Sequence, residues 1–566
     1  MDIDQALQLS NPLGRTQFVI FTASVLTNIQ TGMIILSHVF VAEVPPHYCS
    51  FNSTHMIEEI ILGNGSLFAG CDDHINPSTT NKTHTCTNGW VYDTEVTGQS
   101  IVSDWDLICD KDYLPGLSQS FLLAGIGFGS VFGGPLADIY GRRPTFIIAL
   151  ILFNASGLLV SFAPNLAVFI TLRFLMGAIF KSVRIPLVNL MYEFLLPKHR
   201  AVIGLFPVMT IVLGYIIMTG FAYYLRGWRY FHLLIMSPCV ILMSFAWCIP
   251  ESVRWILSQG DIEKAEKAMQ KVAKFNKAVD FPNPAFSTTY PSREGNQNVP
   301  SSKPKENTSD STLQESKTKH QTTLRAVSQL FKQPVLTVTF VLSFGWISLT
   351  MIYFGFALSS GSFSGDPYLN FLIISVADIP VILPAILLIK KVGNLKPLFF
   401  GFLGAGVTMV AIAVLPYLVE GGASLGKVLT ALAVLGKFCL GMAAPGLLLF
   451  QAELFPTTIR NSGTAVVQLI GSVGSLSSPL LLYLNKLFHG LAFVIMAIFA
   501  FIAMVIALFL PDTRNTIQPE TPADVQAMFD QKWRLRLGRR KQTRDQNIAF
   551  EDNIVQLERF DKVNHL

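Results

Sequence analysis

The feature that most constrains this chain is a series of twelve apolar stretches, each about as long as the 20 residues that an α-helix needs to cross a bilayer. We place these stretches at 16–40, 115–137, 145–162, 166–190, 202–225, 230–249, 335–358, 369–389, 397–418, 426–450, 463–484 and 490–510. Only 14% of the residues are charged, whereas soluble proteins carry about 25%. The sequence therefore predicts an all-α polytopic protein with the lipid bilayer as a partner.

Polar segments divide the chain into five parts. We predict a cytosolic N-terminus at 1–15, a six-helix bundle at 16–255 with an extracellular loop at 41–114, a cytosolic linker at 256–334, a second six-helix bundle at 335–512 and a cytosolic tail at 513–566. The linker begins with DIEKAEKAMQKVAKFN, which has helical periodicity, and continues as a Ser-, Thr-, Pro- and Lys-rich segment typical of disorder.

The loop after the first span has the composition of a secreted subdomain. It holds four of the seven cysteines, Cys49, Cys71, Cys86 and Cys109, and the glycosylation sequons at Asn52, Asn64 and Asn81. These residues predict an oxidised, glycosylated, extracellular loop with two disulfides in any of three connectivities.

Basic residues set the orientation. Arg142, Arg143, Arg200 and Arg460 belong to short loops that lie on the opposite side from the cysteine-rich loop, together with Lys198, Lys390, Lys391 and Lys396. Because Lys and Arg are retained on the cytosolic side, we expect a multi-pass plasma-membrane protein with both termini in the cytosol. The net charge of +5 then reflects topology, and no nucleic-acid partner is expected.

The two groups of six spans show signs of an internal repeat. Span 4 ends in YEFLLPKHR and span 10 in AELFPTTIR, so that Glu193 precedes Arg200 by the same seven residues by which Glu453 precedes Arg460. Spans 6 and 12 end in Pro-Glu-Ser and Pro-Asp-Thr. Matches at corresponding positions indicate two parallel halves.

A cytosolic turn between spans 2 and 3 carries the sequence GGPLADIYGRRP, which resembles the signature loop of the major facilitator superfamily. Further segments are similar to the organic cation, anion and zwitterion transporters of that superfamily, solute carrier family 22: GRTQF, PPHYC, SDWDLICDKDYL, RGWRYF, PESVRWILSQG and AELFPTTIRNSG. The resemblance departs at KKVGNLKP, the degraded second copy of the signature loop, and in the four loop cysteines, where many members have six. It implies the major facilitator fold, with two six-helix bundles that rock about a central site.

Such a cycle needs contacts that form in one state and break in the other. We predict a cytosolic gate formed by charged residues at the helix ends: Asp138, Arg142, Arg143, Glu193, Arg200, Glu453 and Arg460.

Ionisable residues inside spans are costly, and they usually mark function or a structural pair. We predict that Lys181, Arg184, Asp378 and Lys437 contact the substrate, and we assign Arg173, in RFLMG, a structural role by resemblance. Ser472 stands at the span 11 position where the resembling cation transporters have aspartate and the anion and carnitine transporters have arginine. Three cations against one carboxylate predict a positively biased cavity, although Asp378 could still hold an ammonium group.

Aromatic residues complete the predicted substrate site. These are Tyr215 on span 5, Trp346, Tyr353 and Phe354 on span 7 and Phe450 on span 10. Aromatic rings pack well against both planar solutes and organic cations.

The sequence thus predicts a transporter of small amphipathic organic anions or zwitterions. A transporter of organic cations is the first alternative, and a receptor or sensor that binds without translocation is the second. We expect no enzyme activity, catalytic residue, metal site or cofactor, and the chain has no Walker loop for ATP hydrolysis. A coupling ion or exchanged counter-substrate, and the oligomeric state, stay open.

Overall fold

The computed structural model describes residues 3–49, 90–94, 98–278, 281–282, 286, 330–363, 366–419, 423–456, 459–511, 513 and 519–536. Cys71, Cys86 and the sequons at Asn52, Asn64 and Asn81 lie outside these ranges. The predicted pairing of the cysteines and the glycosylation of the loop therefore stay predictions.

Helices dominate the described chain. Those of the first half are α1 (Ile3–Leu9), α2 (Arg15–Ile35), α3 (His38–Val41), α4 (Ile101–Trp105), α5 (Tyr113–Tyr140), α6 (Arg142–Ser161), α7 (Leu166–Phe194), α8 (Pro197–Tyr224), α9 (Trp228–Met236), α10 (Pro238–Cys248), α11 (Val253–Ser258) and α12 (Ile262–Phe275). Those of the second half are α13 (Val335–Leu358), α14 (Pro367–Val376), α15 (Asp378–Val392), α16 (Leu395–Leu418), α17 (Ala423–Leu454), α18 (Arg460–Leu487), α19 (Leu491–Ala507) and α20 (Pro522–Arg536).

The apolar stretches form helices because a chain inside lipid must satisfy its backbone hydrogen bonds internally. Within the described residues, ten helical segments are long and apolar enough to span a membrane, and the apolar helices Met209–Tyr224 and Leu491–Ala507 are shorter. Together they occupy the twelve predicted stretches. Large apolar side chains such as Leu383 and Leu387 are about two-thirds exposed, as expected of a surface that faces lipid. The prediction of an all-α multi-pass membrane protein is confirmed.

Span 8 is interrupted. The helix α14 ends at Val376 and α15 begins at Asp378, which places this carboxylate in the first turn of the second segment. Eleven residues of rise at 1.5 Å each bring Asp378 about 16 Å from the start of the span, close to the bilayer midplane. The N-terminal end of α15 favours a negative charge there.

The helices pack around two apolar cores that correspond to the two halves of the chain. In the first half α5 packs on α7, and α2 on α8; in the second half α16 packs on α17 and α19. The halves meet through α5 with α18 and through α8 with α14. This arrangement agrees with the predicted pair of bundles.

The halves touch at the ends that the sequence places outside the cell. The ring of Phe40, after α2, stacks on Tyr368 at the start of α14, with centroids 5.2 Å apart. Tyr223 at the end of α8 contacts the same Tyr368 at 5.7 Å, and Tyr113 contacts Tyr483 at 6.2 Å. These rings close the outer end between the halves.

A short antiparallel pair, β1 (His47–Cys49) and β2 (Trp90–Tyr92), forms where the long loop leaves and rejoins the bundle. Cys109 is disulfide-bonded. Both features belong to the loop for which the sequence predicts an oxidised subdomain.

The predicted linker helix is present as α12. Its contacts with the N-terminal segment were not predicted from the sequence. Asn276, at the end of α12, donates hydrogen bonds to the Ser10 carbonyl (2.9 Å) and to Gln17 Oε1 (3.1 Å), and accepts one from the Thr16 N–H (2.8 Å). Arg254 on α11 forms an ion pair with Asp4 on α1. Segment 3–17 is therefore part of the folded first half.

The close packing of α8 on α2 can be tested by a substitution at Gly214. A Cβ at this position would lie 2.2 Å from the Ile29 carbonyl oxygen, whereas a Cβ at Gly220 on the same helix would meet nothing within 4 Å. We expect Gly214→Ala to destabilise the protein by about 1–3 kcal/mol through overpacking, seen as a lower thermal unfolding midpoint in detergent. Gly220→Ala is the matched control and should leave the midpoint unchanged or raise it slightly, because alanine favours the helix. Equal midpoints for the two variants would contradict this packing.

Candidate functional site

Two of the predicted substrate residues neutralise each other. Lys437 on α17 places its Nζ 3.0 Å from Oδ2 of Asp378 on α15, although the angle is not that of a hydrogen bond. The lysine side chain is fully buried, and the aspartate side chain is 16% exposed. A buried charge needs such a partner because its hydration is lost. Lys437 and Asp378 together therefore add no net charge in this state, and their contact with a substrate stays a prediction.

Tyrosines extend this ion pair across the interface between the halves. The Tyr353 hydroxyl on α13 donates to Asp378 Oδ2 at 2.9 Å. The Tyr215 hydroxyl on α8 lies 3.4 Å from the Tyr353 hydroxyl. Since the single proton of Tyr353 is committed to the carboxylate, Tyr215 is the donor between the two tyrosines. Lys437 Nζ also lies 4.8 Å from the centre of the Tyr353 ring, within the range of a cation–π interaction.

Lys181 and Arg184, three residues apart on α7, form the remaining charged pair. They interact electrostatically with each other, and Arg184 does so with Tyr215. Both side chains are half-buried. In the described part of the chain, neither makes an ion pair with a carboxylate or a hydrogen bond. Once Lys437 and Asp378 cancel, these two cations leave the site with a net positive charge.

The other predicted substrate residues lie in different surroundings. Trp346 is half-buried, and its indole N–H is buried without an acceptor among the described residues. Phe354 is half-buried and packs against the core of the first half. Phe450 is fully buried within the core of the second half, so in this state nothing supports its prediction as a substrate contact.

Ser472 lies at a helix contact. A Cβ at Gly127 on α5 would come within 2.2 Å of Ser472 Oγ, and this oxygen donates to the Leu469 carbonyl. A small residue at 472 lets α18 approach α5 closely. The prediction of Ser472 as a substrate contact thus gains no support, because its hydroxyl is engaged within its own helix.

Arg173 is separate from this site. The guanidinium is 1% exposed and donates to Gln119 Oε1 (2.6 Å) and to His38 Nδ1 (3.1 Å). Since Gln119 in turn donates to the Ile35 carbonyl on α2, Arg173 ties α2, α5 and α7 together. This arrangement agrees with the structural role expected of it.

The predicted gate residues of the first half form a network at the inner end. Arg142 pairs with Asp138 (2.8 Å) and with Glu193 (3.3 Å). The backbone N–H groups of Arg142 and Arg143, at the start of α6, donate to Glu251. Glu251, which the sequence analysis did not select, therefore caps α6. Burial raises the pKa of its carboxyl, and the hydrogen bonds from Ser252, Arg143 and Arg142 oppose this.

The second half has a similar network at the corresponding position, but this network lacks a counterpart to the Arg142 guanidinium. Asn394 donates to Glu453 Oε2 at 2.8 Å and to Thr513 Oγ1 at 3.1 Å. It follows Gly393 as Arg142 follows Gly141, and both glycines have positive φ. An amide thus replaces the guanidinium in the degraded loop. Arg460 Nε donates to the Phe455 carbonyl at 3.4 Å. The side chain of Arg200 is not among those that the structure describes.

The ion pairs of Arg142 with Asp138 and Glu193 lie within the first half. The predicted gate consists of contacts that form in one state and break in the other, so its joint action with Glu453 and Arg460 stays a prediction. Glu453 is held by a neutral amide. The halves are joined instead at the outer end.

The fold defines a transporter of the major facilitator class. Residues 72–518 match the family described as Sugar (and other) transporter, so the chain belongs to that family. Its fold is similar to the xylose transporter XylE from E. coli in an inward open conformation, with a TM-score of 0.58 and 16% identity over 90% of this chain and 99% of XylE. A D-xylose-proton symporter matches with a TM-score of 0.55. The expected superfamily and fold are confirmed.

Sequence relatives are closer in length and identity. The human protein named Organic anion transporter 3 is 29% identical over 96% of both chains. The protein of Drosophila melanogaster named Organic cation transporter-like protein is 27% identical over 93% of this chain and 92% of its own. The chain therefore spans nearly the whole length of both relatives.

The buried ion pair can be tested by a double-mutant cycle. Asp378→Asn leaves the Lys437 ammonium buried without a counter-charge, and we expect it to destabilise the protein by about 3–5 kcal/mol. Adding Lys437→Met to this variant removes the uncompensated charge and should restore much of that loss. Thermal unfolding of the two single variants and the double variant measures the coupling. Additive effects of the two substitutions would show that the charges do not interact.

Proposed function

We propose that this chain moves small amphipathic organic anions or zwitterions across the plasma membrane by alternating access, with both termini in the cytosol. The observation that carries the proposal is the pair of uncompensated cations, Lys181 and Arg184. Two like charges one helical turn apart repel each other. A solute carboxylate or sulfate between them would relieve this repulsion and accept charge-assisted hydrogen bonds.

The indole N–H of Trp346 favours a solute that carries a hydrogen-bond acceptor. An indole N–H can only donate, and a buried donor without a partner loses about 1–3 kcal/mol of hydrogen-bonding energy. An anion or a zwitterion brings acceptor oxygens, whereas a quaternary amine brings none. The rings of Tyr215, which interacts electrostatically with Arg184, and of Tyr353, which contacts Tyr215, offer apolar surface near that cation.

Translocation in this proposal follows from the two packed halves, predicted at 16–255 and 335–512. The outer end is closed by aromatic contacts in this state. The inner network around Arg142 and the Glu453–Asn394 contact lie at the opposite end, and we propose that they rearrange when that end closes. Weak, partly hydrated contacts of about 1 kcal/mol each permit such cycling.

Organic cations are the second candidate, because one observation favours them. Asp378 lies among tyrosine rings, a setting that suits an ammonium group. Lys437 already occupies this setting, so an organic cation would have to displace a tethered cation. The relatives named for anions and for cations leave room for both solutes.

The charge preference can be tested by uptake into proteoliposomes. A carboxylate, a zwitterion and a quaternary amine are compared for the wild type, Arg184→Ala and Lys396→Ala, which removes an exposed cation as a control. We expect Arg184→Ala to lower kcat/KM for the carboxylate about 10-fold or more, as the loss of about 1.5–3 kcal/mol implies. Lys396→Ala should have no effect.

Two outcomes would count against the proposal. Dominant uptake of the quaternary amine that survives Arg184→Ala would establish the cation alternative. Binding of the carboxylate without its accumulation inside the vesicles would instead indicate a receptor or sensor.

A further inference from the structure

Glu43 lies at the closed outer end, three residues after Phe40 on the first half. Asp366 lies on the second half, two residues before Tyr368, and its carboxylate caps α14 by accepting from the N–H groups of Tyr368 and Leu369. The stacking of Phe40 on Tyr368 therefore brings two carboxylates of opposite halves towards each other. Their repulsion opposes the closure that the rings make.

Glu43 faces few groups that could compensate its charge. It lines a small cavity with Arg226, from the turn after α8, and Tyr368, and the other walls include Gln99, Trp228 and Phe231. Arg226 has other interactions. In the described part of the chain, Glu43 itself makes no ion pair. Burial, followed by the charge of Asp366, raises the pKa of the Glu43 carboxyl to about 7.

The size of this cavity restricts its ligand. Its volume is about 10 Å³, which is the space that a single water molecule needs. An organic cation does not fit. No cluster of three or more His, Cys, Asp or Glu side chains that could hold a metal ion occurs among the described residues. The ligand that fits this space, and that relieves the repulsion between Glu43 and Asp366, is a proton delivered by water.

We propose that Glu43 is an extracellular proton-binding residue that is protonated while the outer ends of the two halves are together and releases the proton to the outside when they separate. The proposal rests on alternating access as proposed above, but not on the charge of the solute. Because Glu43 stays at the outer end, the proton controls opening and is not carried across the membrane.

The direction of the pH effect follows from linkage. Separation of the halves removes Asp366 and admits water, so the pKa of Glu43 falls back towards its ordinary value of 4.5. The closed outer end binds the proton more tightly, and acid therefore stabilises it. This stabilisation is complete below about pH 4.5 and is lost as the pH rises through about 7.

The test measures the distance across the outer end. Spin labels attached through p-acetylphenylalanine at Tyr224 and Phe488, both exposed and on opposite halves, report closure in nanodiscs between pH 5 and pH 8. We expect the ratio of closed to open protein to rise about tenfold on acidification, less than the raised pKa alone allows because water reaches the half-buried carboxyl. Replacing sodium by potassium at constant pH should change nothing.

Three variants identify the residue responsible for the pH dependence of closure. Glu43→Gln mimics the protonated form, so it should favour the closed end at every pH. Asp366→Asn keeps an N-cap residue but removes the neighbouring charge, and it should move the midpoint to lower pH. Asp110→Asn, at an exposed carboxylate of the same side, is the control and should behave as wild type.

Several results would overturn the proposal. These are distances that do not depend on pH in the wild type, a response to pH that persists in Glu43→Gln, or a dependence on sodium instead of protons. If a solute changes the distance and pH does not, only the role of Glu43 fails. If neither changes it, alternating access itself fails.

Discussion

A charge inside a lipid-embedded bundle must be paired or hydrated, and this requirement organises the centre of the molecule. Lys437 and Asp378 satisfy it by pairing with each other, with Tyr353 completing the carboxylate's contacts. The two charges of this pair cancel each other. In our proposal, the charge that a solute meets comes from Lys181 and Arg184 of the first half, which no carboxylate of the described chain neutralises.

The two halves share one architecture but differ in the electrostatic contacts that they make. At the inner end, Arg142 holds Glu193 by charge, whereas Asn394 holds Glu453 by a neutral hydrogen bond. At the outer end, aromatic rings provide the closure, and two carboxylates oppose it. Contacts of such modest strength allow either end to open without a large energetic barrier.

The twelve spans were predictable because lipid imposes long apolar helices on any such sequence. The two halves followed from the internal repeat and the linker helix from its periodicity. The partners of individual side chains were not predictable. Lys437 and Asp378 are 59 residues apart, and only the packing of α15 on α17 brings them together. Phe450 and Tyr353 are both aromatic residues in spans, and no local pattern distinguishes the core from the site. Glu251 carried a signal in its Pro-Glu-Ser motif, but its capping role depends on a helix 109 residues earlier.

The central claim is that Lys181 and Arg184 receive the negative group of the solute. A cryo-electron microscopy structure with bound 4-iodobenzoate tests it most directly, since the iodine fixes the orientation of the ring. We expect the carboxylate within hydrogen-bonding distance of the Lys181 ammonium or the Arg184 guanidinium, with Lys437 still paired to Asp378. A carboxylate bound instead to Lys437, with Asp378 displaced, would contradict it.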